Sequence, residues 1–162
     1  VLGEAVGQVQ AIAQVYGLQV ADQGLLEVAN LLRAIAQSVQ RTFGRSIAVT
    51  VHGDVPHVLP EAESIPIALT LNELLTNAIK HSVMQHRDAH PGGDAMVPAV
   101  DCTLICEDSS VRIVIRNRAR LPEGFSLARV PGGVSGLGLV RALLPRRCAT
   151  HRKRPPARRR GR

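Results

Sequence analysis

The chain has 162 residues, 45% of them hydrophobic but only 2% aromatic, so one domain with an aliphatic core is expected. No apolar run reaches the ~18 residues of a membrane span, and the first residues lack the basic start of a secretory signal. The net charge of +7 is concentrated at one end: residues 146–162 hold nine of the 20 Lys and Arg and no acid, whereas residues 1–145 carry 11 bases and 13 acids, which argues against a specific nucleic-acid ligand.

Residues 1–20 read as a helix, with Val6, Val9, Ile12, Ala13, Tyr16 and Leu18 as its apolar stripe. A second helix is predicted over 24–43, with Leu25, Leu26, Val28, Leu31, Leu32, Ile35 and Val39 turned inward. Ile47–Val51 alternates as a strand does and runs into the turn-prone His52-Gly53-Asp54. Ser64–Ser82, SIPIALTLNELLTNAIKHS, predicts a third helix, with Ser64 as its N-cap and Pro66 in its first turn. Its apolar face is Ile67, Leu71, Leu74, Leu75, Ala78 and Ile79.

Glu73, Asn77, Lys80 and His81 recur at spacings of three and four, so they project to one side of that helix. A carboxylate, an amide, an ammonium and an imidazole in one row suit a solvated face. On so apolar a helix they suit a ligand better. Residues 81–98 are polar and contain Pro91-Gly92-Gly93, which reads as a loop. Val100–Cys106 and Val111–Arg116 predict a hairpin around Glu107-Asp108-Ser109-Ser110. Residues 118–134 show no periodicity, and Gly136–Leu144 reads as a helix entered through a glycine-rich turn. The order of elements predicts an α+β fold, a two-layer α/β sandwich with a mixed sheet packed on helices.

Cys102, Cys106 and Cys148 read as reduced thiols, with Cys102 and Cys106 on one strand face and suited to the core. No second cysteine pair completes a zinc site, and the His81, His86, Asp88, His90 and Asp94 cluster is too irregularly spaced to favour one. The tail RRCATHRKRPPARRRGR, residues 146–162, is expected to be disordered. A genuine basic tail and an altered reading frame both fit its Arg/Pro-rich composition.

NELLTNAIKH, residues 72–81, resembles the asparagine box of the Bergerat-type ATPases, and SGLGLVRALL, residues 135–144, resembles their second glycine-rich box. The wording of both is most similar to bacterial sensor histidine kinases, and the resemblance spans about Val1 to Pro145. It implies the end of a dimerisation helical hairpin over 1–20, an ATP-binding catalytic domain over 21–145, and a homodimer formed through the hairpin. It also implies ATP and Mg2+ as ligands, a response regulator receiver domain as partner, and a cytoplasmic location, alone or as part of a membrane-bound sensor.

Within that resemblance, Asn77 matches the magnesium-binding asparagine. Glu73, one turn earlier, is placed to orient a water or an incoming imidazole. Lys80 and His81 would balance phosphate charge. Gly136 and Gly138 would let backbone N–H groups approach phosphate at a helix N-terminus, with Ser135 adding a hydroxyl.

One segment departs from the pattern. Where relatives carry Asp-x-Gly-x-Gly, this chain has Arg116, Arg118 and Arg120, and arginine cannot accept the hydrogen bond of an adenine amino group. Asn117 substitutes for the aspartate, the base is held differently, or nucleotide binding is lost. No histidine here matches the phosphoacceptor. The chain alone therefore would not complete autophosphorylation. The expected activity is that of a protein-histidine kinase in a longer protein, with a degenerate, non-catalytic binding or dimerisation module as the alternative.

Overall fold

A computed structural model describes residues 2–22, 24–82, 98–119, 129–131, 133, 136–144 and 148. The expected loop beyond Ser82, most of the irregular segment before the last helix, and the basic tail apart from Cys148 lie outside the described residues. The elements in chain order are α1 (Leu2–Ala21), β1 (Leu26–Glu27), α2 (Val28–Phe43), β2 (Ile47–His52), β3 (Val58–Leu59), α3 (Glu61–Lys80), β4 (Val100–Glu107), β5 (Ser110–Asn117) and α4 (Gly136–Leu143).

The fold is the expected α+β one. β2, β4 and β5 form a mixed sheet in that order. β2 runs parallel to β4, from Ile47 opposite Val100 to His52 opposite Ile105. Parallel neighbours need a crossover, and α3 lies within it. β4 and β5 form an antiparallel hairpin with Asp108 and Ser109 between them, and Val100 faces Asn117 at its open end. β1 and β3 pair as a separate two-residue ribbon. α3 packs against α1, α2, α4 and the sheet.

The core is aliphatic. Ala11 and Val15 of α1, Leu31, Leu32, Ile35 and Val39 of α2, and Leu71, Leu75, Ala78 and Ile79 of α3 are buried with Val100, Cys102 and Leu104 of β4. Cys106 is half-buried against the same core. Burial pushes the Cys102 thiol up to about 11, because a thiolate loses its hydration there.

Three expectations need correction. The second helix begins at Val28: residues 24–27 are a turn and the β1 bridge, and Leu25 points outward at 61% exposure. Ser64 does not cap the third helix. That helix starts a turn earlier behind Pro60, has Glu61 and Glu63 in its first turn where acids suit the macrodipole, and buries Ser64 with its hydroxyl on the Pro60 carbonyl at 3.2 Å. Pro66 is consequently inside the helix rather than at its entry. Most of the apolar stripe expected for the first helix faces away from the core: Ala11 and Val15 are its deepest residues while Val6, Val9, Ala13 and Tyr16 are exposed, although Leu18 does pack against the core and Ile12 is half-buried.

Gly53 sits at φ +96, and a Cβ there would overlap the Cys106 carbonyl. Left-handed strain adds to a clash with backbone that cannot yield. Gly53→Ala is expected to lower stability by about 2 kcal/mol or more in a denaturant titration. Cys102 should resist alkylation at pH 8 in the native chain and react once denaturant exposes it, as followed by mass spectrometry.

Candidate functional site

α3 presents a polar row into the interior. Glu73 is only 3% exposed although it carries a carboxylate. Its Oε2 accepts the Gly136 N–H at 2.9 Å, and its Oε1 accepts from Gln8 Nε2 of α1 at 3.4 Å. The first bond is of ordinary length, and the second is long and weaker. A buried carboxylate normally needs a cation or several donors. Among the described residues Glu73 has no salt bridge, and it meets instead the positive end of α4. The two segments that resemble the nucleotide boxes are thus in direct contact.

One turn further along α3, Asn77 is half-buried, and its Nδ2 is fully enclosed without a hydrogen-bond partner among the described residues. Thr70 Oγ1 is buried and unpartnered in the same way. Thr70, Glu73 and Asn77 are three and four residues apart and share a face, so the polar row reaches one turn further back than the sequence reading took it. That spacing was the signal that could have found Thr70. Gln8 carried no such signal, because its relevance depends on where α1 docks.

Lys80 is the last residue of α3 and is exposed, and the exposed His81 follows as its C-cap. The carbonyls that end this helix are served by distant side chains. Arg45 Nη1 donates to the Ile79 and Ser82 carbonyls at 2.7 and 3.1 Å. Asn117 Nδ2 donates to the Ala78 carbonyl at 2.8 Å. Orphan carbonyls of a buried helix end require such partners. Asn117 therefore lies beside the last turn of α3, with its amide nitrogen already committed.

The glycines of the last helix have separate reasons. Gly136 adopts φ +60 at the entry of α4, a left-handed conformation that favours glycine, and a Cβ there would meet open space. Gly138 is buried, and a Cβ on it would come within 2.8 Å of the Pro131 carbonyl oxygen and the Gly133 nitrogen. Arg141 Nη1 holds the Val130 carbonyl at 2.7 Å, tying the same strand of chain to α4. Ser135 lies outside the described residues, as do His86, Asp88, His90 and Asp94. Among the described residues no group of three or more His, Cys, Asp or Glu could hold a metal ion, and no helix is long and apolar enough to cross a membrane.

No family model and no curated protein matches the sequence. The fold is similar to that of the Erythrobacter litoralis EL346 blue-light activated histidine kinase, with a TM-score of 0.58 and 22% identity over 85% of this chain and 45% of that one. The histidine kinase domain of the same protein matches with the same score and identity, over 85% of this chain and 62% of that one. The chain thus has a histidine kinase-like α/β sandwich fold and spans less than two thirds of the length of the structures it resembles.

The Asn117 contact makes a directional prediction. Asn117→Ala removes a donor from the Ala78 carbonyl and should lower stability by about 1–2 kcal/mol. Asn117→Asp, though nearly isosteric, should lower it at least as much, because a carboxylate cannot donate and would face the negative end of α3. Urea titrations of the two variants check the order.

Proposed function

We propose that the chain is the ATP-binding catalytic part of a two-component sensor histidine kinase, supplying the γ-phosphoryl group to a histidine outside it, from which a response-regulator aspartate would receive it. The observation that carries this reading is the 2.9 Å bond between Glu73 and Gly136, which joins the two motif segments across a large sequence separation. A triphosphate needs donors at a glycine turn, and its magnesium ion needs oxygen ligands on a helix beside it; the contact sets such a turn against such a helix, and phosphate would take the Gly136 N–H in place of Glu73.

Asn77 would act as a magnesium ligand through its side-chain carbonyl oxygen, and its Nδ2 has no hydrogen-bond partner among the described residues. A carbonyl oxygen from such an amide is a hard donor of the kind magnesium takes. The ion, when bound, would supply charge neutralisation for the phosphates. The residues of the chain would do the rest. Lys80 and His81, exposed at the end of α3, would present a point cation and a ring N–H to phosphate oxygens. Gly136 and Gly138 would turn backbone N–H groups toward the same charge, with Ser135 beside them. Glu73 would orient the attacking group, which requires it to exchange at least one of its present hydrogen bonds.

The α1 surface supports pairing with another helix. Val6, Val9, Ala13, Tyr16 and Val20 are exposed and follow one another at spacings of three and four, the repeat of a helix–helix seam. In the proposed reading this seam belongs to the dimerisation hairpin.

A second reading is favoured by Arg116 and Arg118, which cannot accept the hydrogen bond of an adenine amino group. Asn117 keeps its oxygen as an acceptor for that role while its nitrogen caps α3. A non-catalytic module of the same fold would need no more than this. Calorimetric titration with a non-hydrolysable ATP analogue separates the two. Magnesium-dependent binding that is reduced at least tenfold in Asn77→Ala, roughly 1.4 kcal/mol, is expected from the kinase reading. A folded wild-type chain that takes up no analogue would leave the module.

A further inference from the structure

We propose that Glu73 is a latch through which the position of α1 is transmitted to the glycine turn at the start of α4. Its carboxylate is buried at the meeting point of three helices and bonded to two of them, to Gly136 of α4 and to Gln8 of α1, while its own backbone belongs to α3. The two bonds are unequal, 2.9 against 3.4 Å, and use different oxygens of one rigid group. The Gln8 contact on Oε1 therefore fixes the carboxylate orientation in which Oε2 meets the Gly136 N–H, and losing it lets the group turn away.

The seat of α1 on α3 is close at this point. A Cβ on Gly7 would lie 3.2 Å from Asn72 Nδ2, so the residues beside Gln8 and Glu73 touch almost backbone to side chain. A little further on, Ala11 and Val15 are fully packed. A shift of α1 along α3 thus reaches Gln8 without slack. On its far side α1 exposes the Val6, Val9, Tyr16 and Val20 seam, so whatever helix packs there acts on the same rod. The charge makes the latch responsive: a buried carboxylate held by neutral donors has much to lose from each of them.

The functional consequence rests on the nucleotide reading given above, in which Gly136 faces phosphate. A tight Gln8–Glu73–Gly136 chain keeps the Gly136 N–H on the carboxylate. A displaced α1 frees the carboxylate and the turn together.

The test reads the turn itself. Amide hydrogen exchange at Gly136 and Leu137 is measured in the wild type and in Gln8→Ala, Glu73→Gln and the double variant, with Cys102 and Leu104 of β4 as internal controls. The latch predicts that Gln8→Ala speeds exchange at Gly136 about tenfold, leaves β4 unchanged, and adds nothing in the Glu73→Gln background. Gly7→Ala, which moves α1 without touching the hydrogen bonds, should also change Gly136 exchange and serves if Glu73→Gln does not fold. Unchanged Gly136 exchange in Gln8→Ala, or equal acceleration at β4, overturns the latch. Titration of the same variants with the ATP analogue keeps the two ideas separate. A chain that binds no analogue yet shows Gln8-dependent exchange loses the nucleotide reading and retains the latch. Normal binding with indifferent exchange does the reverse.

Discussion

Glu73 places a carboxylate where water does not reach, and the arrangement of helices around it follows from that constraint. Ionised carboxylates are rarely buried without partners. The partners here come from the N-terminus of α4 and from α1, so the third helix must be flanked by both. The same contact brings the two sequence boxes together, so the feature that satisfies electrostatics also defines the candidate site.

The C-terminal end of α3 is organised by a complementary need. Its last carbonyls are enclosed between the sheet and the segment that precedes β2. Arg45 and Asn117 supply the missing donors. Arg45 ties the helix to the chain entering β2, and Asn117 ties it to the end of β5. α3 is consequently fixed at one end by donors from the sheet side and in its middle by the Glu73 contacts. Asn77, Lys80 and His81 lie between or just beyond these anchor points. The enclosed Asn77 amide, whose Nδ2 has no partner among the described residues, adds to the support that the Glu73–Gly136 contact gives the proposed reading.

Arg116 and Asn117 sit at the end of β5 with opposite orientations. Arg116 faces Asp101 across the β4–β5 ladder, on the exposed side of the sheet. Asn117, the next residue, turns to the opposite face and takes the helix-capping position. An aspartate at 117 would set a negative charge against helix carbonyls. An asparagine both satisfies them and keeps one acceptor. Nothing in the structure explains Arg118.

The sequence alone determined most of the elements and the chemistry of the row on α3. Helical periodicity marked Leu71, Leu75 and Ile79 as core, strand alternation marked the β4–β5 hairpin, and spacing put Glu73 and Asn77 on one side of α3, whereas Lys80 and His81, read into the same row, are exposed at its end. These are short-range properties of a single helix or strand. Where local rules were used to set boundaries they erred, at Ser64 and at residues 24–27, because tertiary packing buried the serine and drew Leu26 into a bridge with Leu59. The direction of the α1 stripe was also undecided by sequence, since that helix has apolar residues on two faces and only docking selects Ala11 and Val15. The roles of Gln8, Arg45 and Asn117 were decided by the tertiary structure alone. Each acts on a backbone or carboxylate group 34 or more residues away in the chain, a pairing that depends on how the helices meet.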